Sequence, residues 1–219
     1  STVGGNYAAI VEKEVTFTIT PKATTDVTIE VSNDNAEYTG TAITPVIVIK
    51  DGETVLDETA TGTVSYTVAE NKDLINAGTY TLKVSTVGGN YAAIVEKEVT
   101  FTITPKATTD VTIEVSNDNA EYTGTAITPV IVIKDGETVL DETATGTVSY
   151  TVAENKDLIN AGTYTLKVST VGGNYAAIVE KEVTFTITPK ATTDVTIEVS
   201  NDNAEYTGTA ITPVIVIKD

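Results

Sequence analysis

The side chains able to do chemistry in this chain are carboxylates, hydroxyls, carboxamides and lysines, because His, Cys, Met, Trp, Arg and Gln are all absent. A Ser–His–Asp or Cys–His relay has no base to work with, and zinc sites of His or Cys type fall for the same reason. The acids remain. Asp34, Glu37, Asp51, Glu53, Asp57 and Glu58 lie in stretches that read as loops, where hard cations find several oxygen ligands at once. The candidate calcium ligands are therefore Asp34, Asp51, Asp57 and Glu58, with Asp110 beside a joint between repeats. Two observations weigh against them, and no metal or other cofactor is expected. There is no Asp-x-Asp-x-Asp-Gly loop, and turns recruit Asp and Asn for their own backbone bonds. The pair Asp57–Glu58 is poorly placed for acid–base work on a glycoside, since neighbours in an extended segment point to opposite faces.

Tyr38, Tyr66, Tyr80 and Tyr91 are the remaining candidates for contact with a ligand. They suit either an aromatic strip for sugars or core and corner positions whose hydroxyls reach backbone, and the second arrangement is the expected one. Gly88–Gly89 lacks the lysine and helix of a phosphate-binding loop and reads as a turn. No catalytic residues are assigned, and an enzyme is the least expected class.

The organisation of the chain explains why. The run STVGGNYAAIVEKEVTFTITPKATTD begins at Ser1, Ser85 and Ser169, a period of 84 residues without a substitution between copies. Recent expansion, continual homogenisation and deliberate concatenation all produce such identity. Whatever one copy does every copy does, so function lies in number, length or avidity. The sequence opens and closes within a repeat, as a window on a longer array would.

Asp and Glu total 31 against 13 lysines, a net charge of −18. Each 84-residue unit holds 12 acids and 5 lysines, so the acidity is uniform. A surface of this kind repels nucleic acid and anionic lipid, and neither nucleic-acid binding nor direct membrane insertion is expected. Thr is used 17 times per repeat, which suits half-exposed strands. Val, Ile, Leu, Phe and Tyr supply 26 of the 84 residues, enough for one small core and too many for a disordered chain.

Apolar and polar residues alternate in the manner of strands buried on one face. Val27, Ile29 and Val31 form one such set, then Val64, Tyr66 and Val68, then Tyr80, Leu82 and Val84, then Val99, Phe101 and Ile103. Val46 to Ile49 is apolar throughout and predicts a central, well-covered strand. Asp51–Gly52 signals a turn into a short strand at Thr54–Leu56. A further strand is predicted at Tyr91–Val95, and no helix of useful length. The proline-containing stretch Thr104–Thr109 predicts the joint between domains. In that frame residues 24–107 and 108–191 are complete domains, 1–23 closes a preceding one and 192–219 opens the next. The expected fold is all-β: tandem immunoglobulin-like β-sandwich domains whose odd strand number sends the chain in and out at opposite poles, giving an elongated rod.

The segments Tyr38-Thr39-Gly40-Thr41-Ala42-Ile43-Thr44-Pro45, Asp51-Gly52, Asn76-Ala77-Gly78-Thr79-Tyr80, Gly89-Asn90-Tyr91 and Phe101-Thr102-Ile103-Thr104-Pro105 recur in this order in every repeat. Together they resemble the tandem immunoglobulin-like, MBG-type stalk repeats of bacterial cell-surface adhesins. The resemblance implies an extracellular or surface-anchored protein whose repeats hold a distal adhesive region away from the cell. Stalk domains of this class also imply a test for Lys–Asn isopeptide links, for which Lys50 and Lys83 with Asn76 and Asn90 are the available groups. The leading expectation is a structural spacer whose partners are neighbouring repeats of its own chain. The competing ones are a self-assembling filament with homotypic contacts and a multivalent glycan- or mucin-binding module.

Overall fold

A computed structural model describes Asn6, Ala8 and residues 11–218. It divides into two compact units, Ser1–Lys106 and Ala107–Asp219. The fold is all-β apart from single turns of helix.

In the first unit the strands are β1 (Val27–Val31), β2 (Ala36–Glu37), β3 (Ile47–Asp51), β4 (Thr54–Val55), β5 (Val64–Val68), β6 (Gly78–Thr86) and β7 (Lys97–Thr104), with a four-residue helix α1 (Glu58–Thr61) between β4 and β5. They make two sheets, one ordered β1-β3-β4 and the other β2-β7-β6-β5. Neighbours pair antiparallel except β2 and β7, which run parallel with Ala36 opposite Ile103. The alternation seen in the sequence decides which face is buried. Tyr80, Leu82 and Val84 of β6 point inward beside Phe101 and Ile103 of β7, and Leu82, Val84 and Phe101 are wholly excluded from solvent. Ile29, Val31 and Ile47 of the other sheet pack on the same cluster, so the core lies between the two sheets. A smaller cluster of Val27, Ile49 and Ile94 continues it.

The path of β1 and β7 settles where the chain enters and leaves this unit. Lys97 Nζ, at the start of β7, donates to the carbonyl of Val27 at the start of β1 (2.6 Å). At the far end of β7 the Thr102 amide donates to Asp34 Oδ1 (2.6 Å) and the Tyr38 amide to the Thr104 carbonyl (2.8 Å). Entry into β1 and exit from β7 are therefore at opposite ends of the unit.

The second unit repeats these elements as β8 (Val111–Val115), β9 (Ala120–Glu121), β10 (Ile131–Asp135), β11 (Thr138–Val139), α2 (Glu142–Thr145), β12 (Val148–Val152), β13 (Gly162–Thr170) and β14 (Lys181–Thr188). Its sheets are β11-β10-β8 and β12-β13-β14-β9, and Leu166, Val168 and Phe185 are fully buried. It also carries a separate antiparallel pair, β15 (Thr196–Val199) with β16 (Ile215–Lys218).

Three expectations need correction. Tyr91–Val95 is not a strand. Thr86 and Ile94 exchange bonds, the Thr86 amide to the Ile94 carbonyl and the Ile94 amide to Thr86 Oγ1, but the backbone then turns through Glu96 at φ 47°, so no ladder propagates. The β3 strand is central in its sheet, yet Val46 beside it is half exposed, so that segment is covered on one face rather than two. The acids placed in loops are partly in regular structure: Asp51 closes β3, Glu37 lies in β2, and Glu58 opens α1.

Candidate functional site

The acids are best understood from the backbone groups they serve. Asp57 precedes α1 in extended conformation, and its Oδ1 accepts the Ala60 amide (2.9 Å). It is an N-cap, and Glu58 follows in the first turn, where a negative charge is favoured. The helix ends at Gly62, whose amide bonds the Glu58 carbonyl. Asp141 and Gly146 do the same for α2. Asp57→Ala is expected to cost the unit about 1 kcal/mol through the lost cap, read as a lower urea midpoint, with Asp57→Asn retaining most of the stability.

Asp34 is likewise engaged with backbone, through Thr102, and Asn35 Nδ2 donates to its other oxygen (3.3 Å). Asp51 meets Lys22 Nζ in an ion pair and accepts the Tyr91 hydroxyl at Oδ2 (2.7 Å). Asp110 lies in the turn before β8. Asp34 and Asp51 thus serve separate places, and among the described residues no three Asp or Glu side chains gather as a metal-binding group.

The tyrosines are packing residues. Tyr80 is buried and donates to the Asn76 carbonyl (2.6 Å), Tyr38 and Tyr66 pack on the main core, and Tyr91 packs on the smaller cluster. Lys50 faces Glu30 across the β1–β3 pair (2.6 Å) and Lys83 lies 3.8 Å from Glu96, so both lysines lie beside carboxylates. The Glu30 bond holds the Lys50 ammonium above its usual range.

Two features were not visible in the sequence. The first is a cleft of about 680 Å³ between β1 and β7, lined by Ile29, Val31 and Val99 together with Glu30, Asp34 and Glu98. A cleft of about 650 Å³ occupies the same position in the second unit. The second is the setting of Lys22. This residue ends the Thr20-Pro21-Lys22 run and forms a parallel β-bridge with Tyr91. Its amide donates to the Asn90 carbonyl and its carbonyl accepts the Ala92 amide, both at 2.8 Å. Its ammonium meets Asp51 and stands 5.4 Å from the centre of the Tyr91 ring. The Asp51 carboxylate holds the Lys22 ammonium above its usual range. Lys22, and then the Tyr91 hydroxyl, hold Asp51 below the usual carboxylate range. The bond to Asp51, reinforced by burial, pushes the Tyr91 phenol up. All three groups are thereby kept in the forms that bind one another. The Tyr–Asp bond recurs in the second unit, where Tyr175 donates to Asp135 Oδ2 (2.7 Å).

Among the described residues no helix is long and apolar enough to cross a membrane. No family model matches the chain, and no curated protein matches it.

Proposed function

We propose that the chain is a spacer, a run of identical immunoglobulin-like β-sandwich domains that form the rod-like stalk of a bacterial surface or secreted protein and hold an adhesive region at a distance. The observation that carries this reading is the passage of the chain through the first unit from one end to the other, set by the Lys97–Val27 bond at entry and the Tyr38–Thr104 bond at exit. A domain entered and left at opposite ends adds its length to its neighbour's when the joint is short. Sequence identity between repeats supports a role in which copies add rather than specialise. The acidic surface keeps neighbouring stalks apart in solution. The resemblance to MBG-type repeats points the same way, and it supports an extracellular location.

Small-angle scattering tests the extended arrangement. A compact globule of 219 residues has a radius of gyration of about 17 Å, whereas two domains of roughly 30–40 Å in line give about 19–24 Å. A measured value near 17 Å would sink the stalk.

A further inference from the structure

We infer that Lys22 is a working part of the domain that follows it, and that Asp51, Tyr91 and the Asn90–Ala92 backbone form a seat that binds the Pro–Lys end of the preceding repeat as an added strand residue. The repeat frame drawn from the sequence begins at Thr24 and leaves Pro21-Lys22 outside the domain. The bonds place the lysine inside it. The inference concerns contacts within the first unit and stands whether or not the repeats form a stalk.

Three kinds of contact meet on this one residue. Its backbone is held on both sides by Asn90 and Ala92, as an edge strand is held. Its charge is met by Asp51, which reaches it from the end of β3. The aromatic ring of Tyr91, positioned by its own hydroxyl bond to Asp51, offers the cation a face. Neither backbone bond nor ring contact selects lysine alone, but the ensemble does: an extended residue with a long cationic side chain is the chemistry that fits. Asn90 belongs to the Gly88–Gly89 turn, and the Asn90 and Tyr91 amides bond to the Thr59 and Ala60 carbonyls of α1. The seat is thus braced by α1.

The side chain of Lys22 is 61% exposed, so burial does not shield it from a protease. Attachment would, because trypsin must draw the lysine and its backbone into its own site. This gives a direct test on the full 219-residue chain, with intact-mass readout so that cuts in identical repeats are told apart. Lys13 lies exposed outside any strand in the same stretch and serves as the internal reference, each bond's rate being taken relative to its rate in the urea-unfolded chain, because Glu12 and Glu14 slow trypsin at Lys13. In the unaltered chain the bond after Lys22 is expected to be cut at least about tenfold more slowly than the bond after Lys13, the protection that one charge-assisted bond of ordinary strength supplies. Asp51→Asn is expected to remove most of that difference, Tyr91→Phe part of it, and the matched Asp135→Asn none of it. Continued resistance after Lys50 and Lys83, which lie within β3 and β6, shows that the altered domain is still folded. Should Asp51→Asn unfold it, the Lys13-to-Lys22 ratio in the unaltered chain and the Tyr91→Phe variant decide. Equal cutting after Lys13 and Lys22 in the unaltered chain overturns the inference, as does an unchanged Lys22 rate in folded variants.

Discussion

Replacing Phe101 with alanine will lower the unfolding free energy of the first unit by about 3–5 kcal/mol, the usual cost of emptying an aromatic site in a packed core. The side chain is wholly excluded from solvent, between Tyr80 of β6 and the inward residues of the β1–β3 pair. The neighbours belong to two sheets and cannot close the void without moving both. Because the second unit holds the same residue as Phe185, the substitution creates an internal comparison. Urea unfolding followed by circular dichroism should change from one transition to two, with the later step at the position of the unaltered chain. The double variant Phe101→Ala, Phe185→Ala should return to a single step at lower urea. A Phe101→Ala curve that overlays the unaltered one would show that this core does not hold the unit together.

Gly62→Ala is the second large effect, for a reason that has nothing to do with apolar burial. Gly62 has φ 67° and ψ −170°, a region that essentially glycine alone occupies, at a cost of about 1–3 kcal/mol for other residues. A methyl group there would also come within 2.5 Å of the Gly88 carbonyl oxygen, and neither backbone can yield freely. Gly88 bonds back to Thr61, and Gly89 sits so close to α1 that its own Cβ would lie 2.5 Å from the Thr59 oxygen. Strain and collision together should cost at least about 3 kcal/mol. Gly52→Ala is the control, since Gly52 also has positive φ, 59°, but open space around it, and should cost about 1–2 kcal/mol. Equal urea midpoints for the two variants would mean that the close approach of α1 to the Gly88–Gly89 turn carries no energy.

The long inward-facing strands were legible because their residues repeat the pleat. Tyr80, Leu82 and Val84 are two apart and buried, as are Phe101 and Ile103. What escaped had no period to show. The two residues of β2 are too few to alternate, and their parallel partner in β7 lies 67 positions on. The four residues of α1 cannot display a helical repeat; its only trace is Asp57 before it and Gly62 after it, a cap and a stop that also read as a loop. Lys22 meets partners 29 and 69 positions away, Asp51 and Tyr91, and no spacing rule joins them. The run Val-Thr-Phe-Thr-Ile-Thr makes the limit plain. At 99–104 it is strand with its Phe fully buried; at 15–20 the same six residues are irregular, with Phe17 84% exposed. Alternation states what a segment will do when a sheet and a core stand beside it, and the neighbours determine whether it does.

The parallel meeting of β2 with the end of β7 has a consequence for a unit pulled by its two ends. Tension drawn toward the entry end on β1 and toward the exit end on β7 lies along the strands. The Tyr38–Thr104, Ala36–Thr104 and Asp34–Thr102 bonds join β7 to β2 and to the residues on either side of it, which follow β1 in the chain. Load therefore falls on them in shear, all together, rather than peeling them one after another. The weakest point under force need not be the weakest point under heat or urea, because force measures the barrier to unfolding and not its equilibrium.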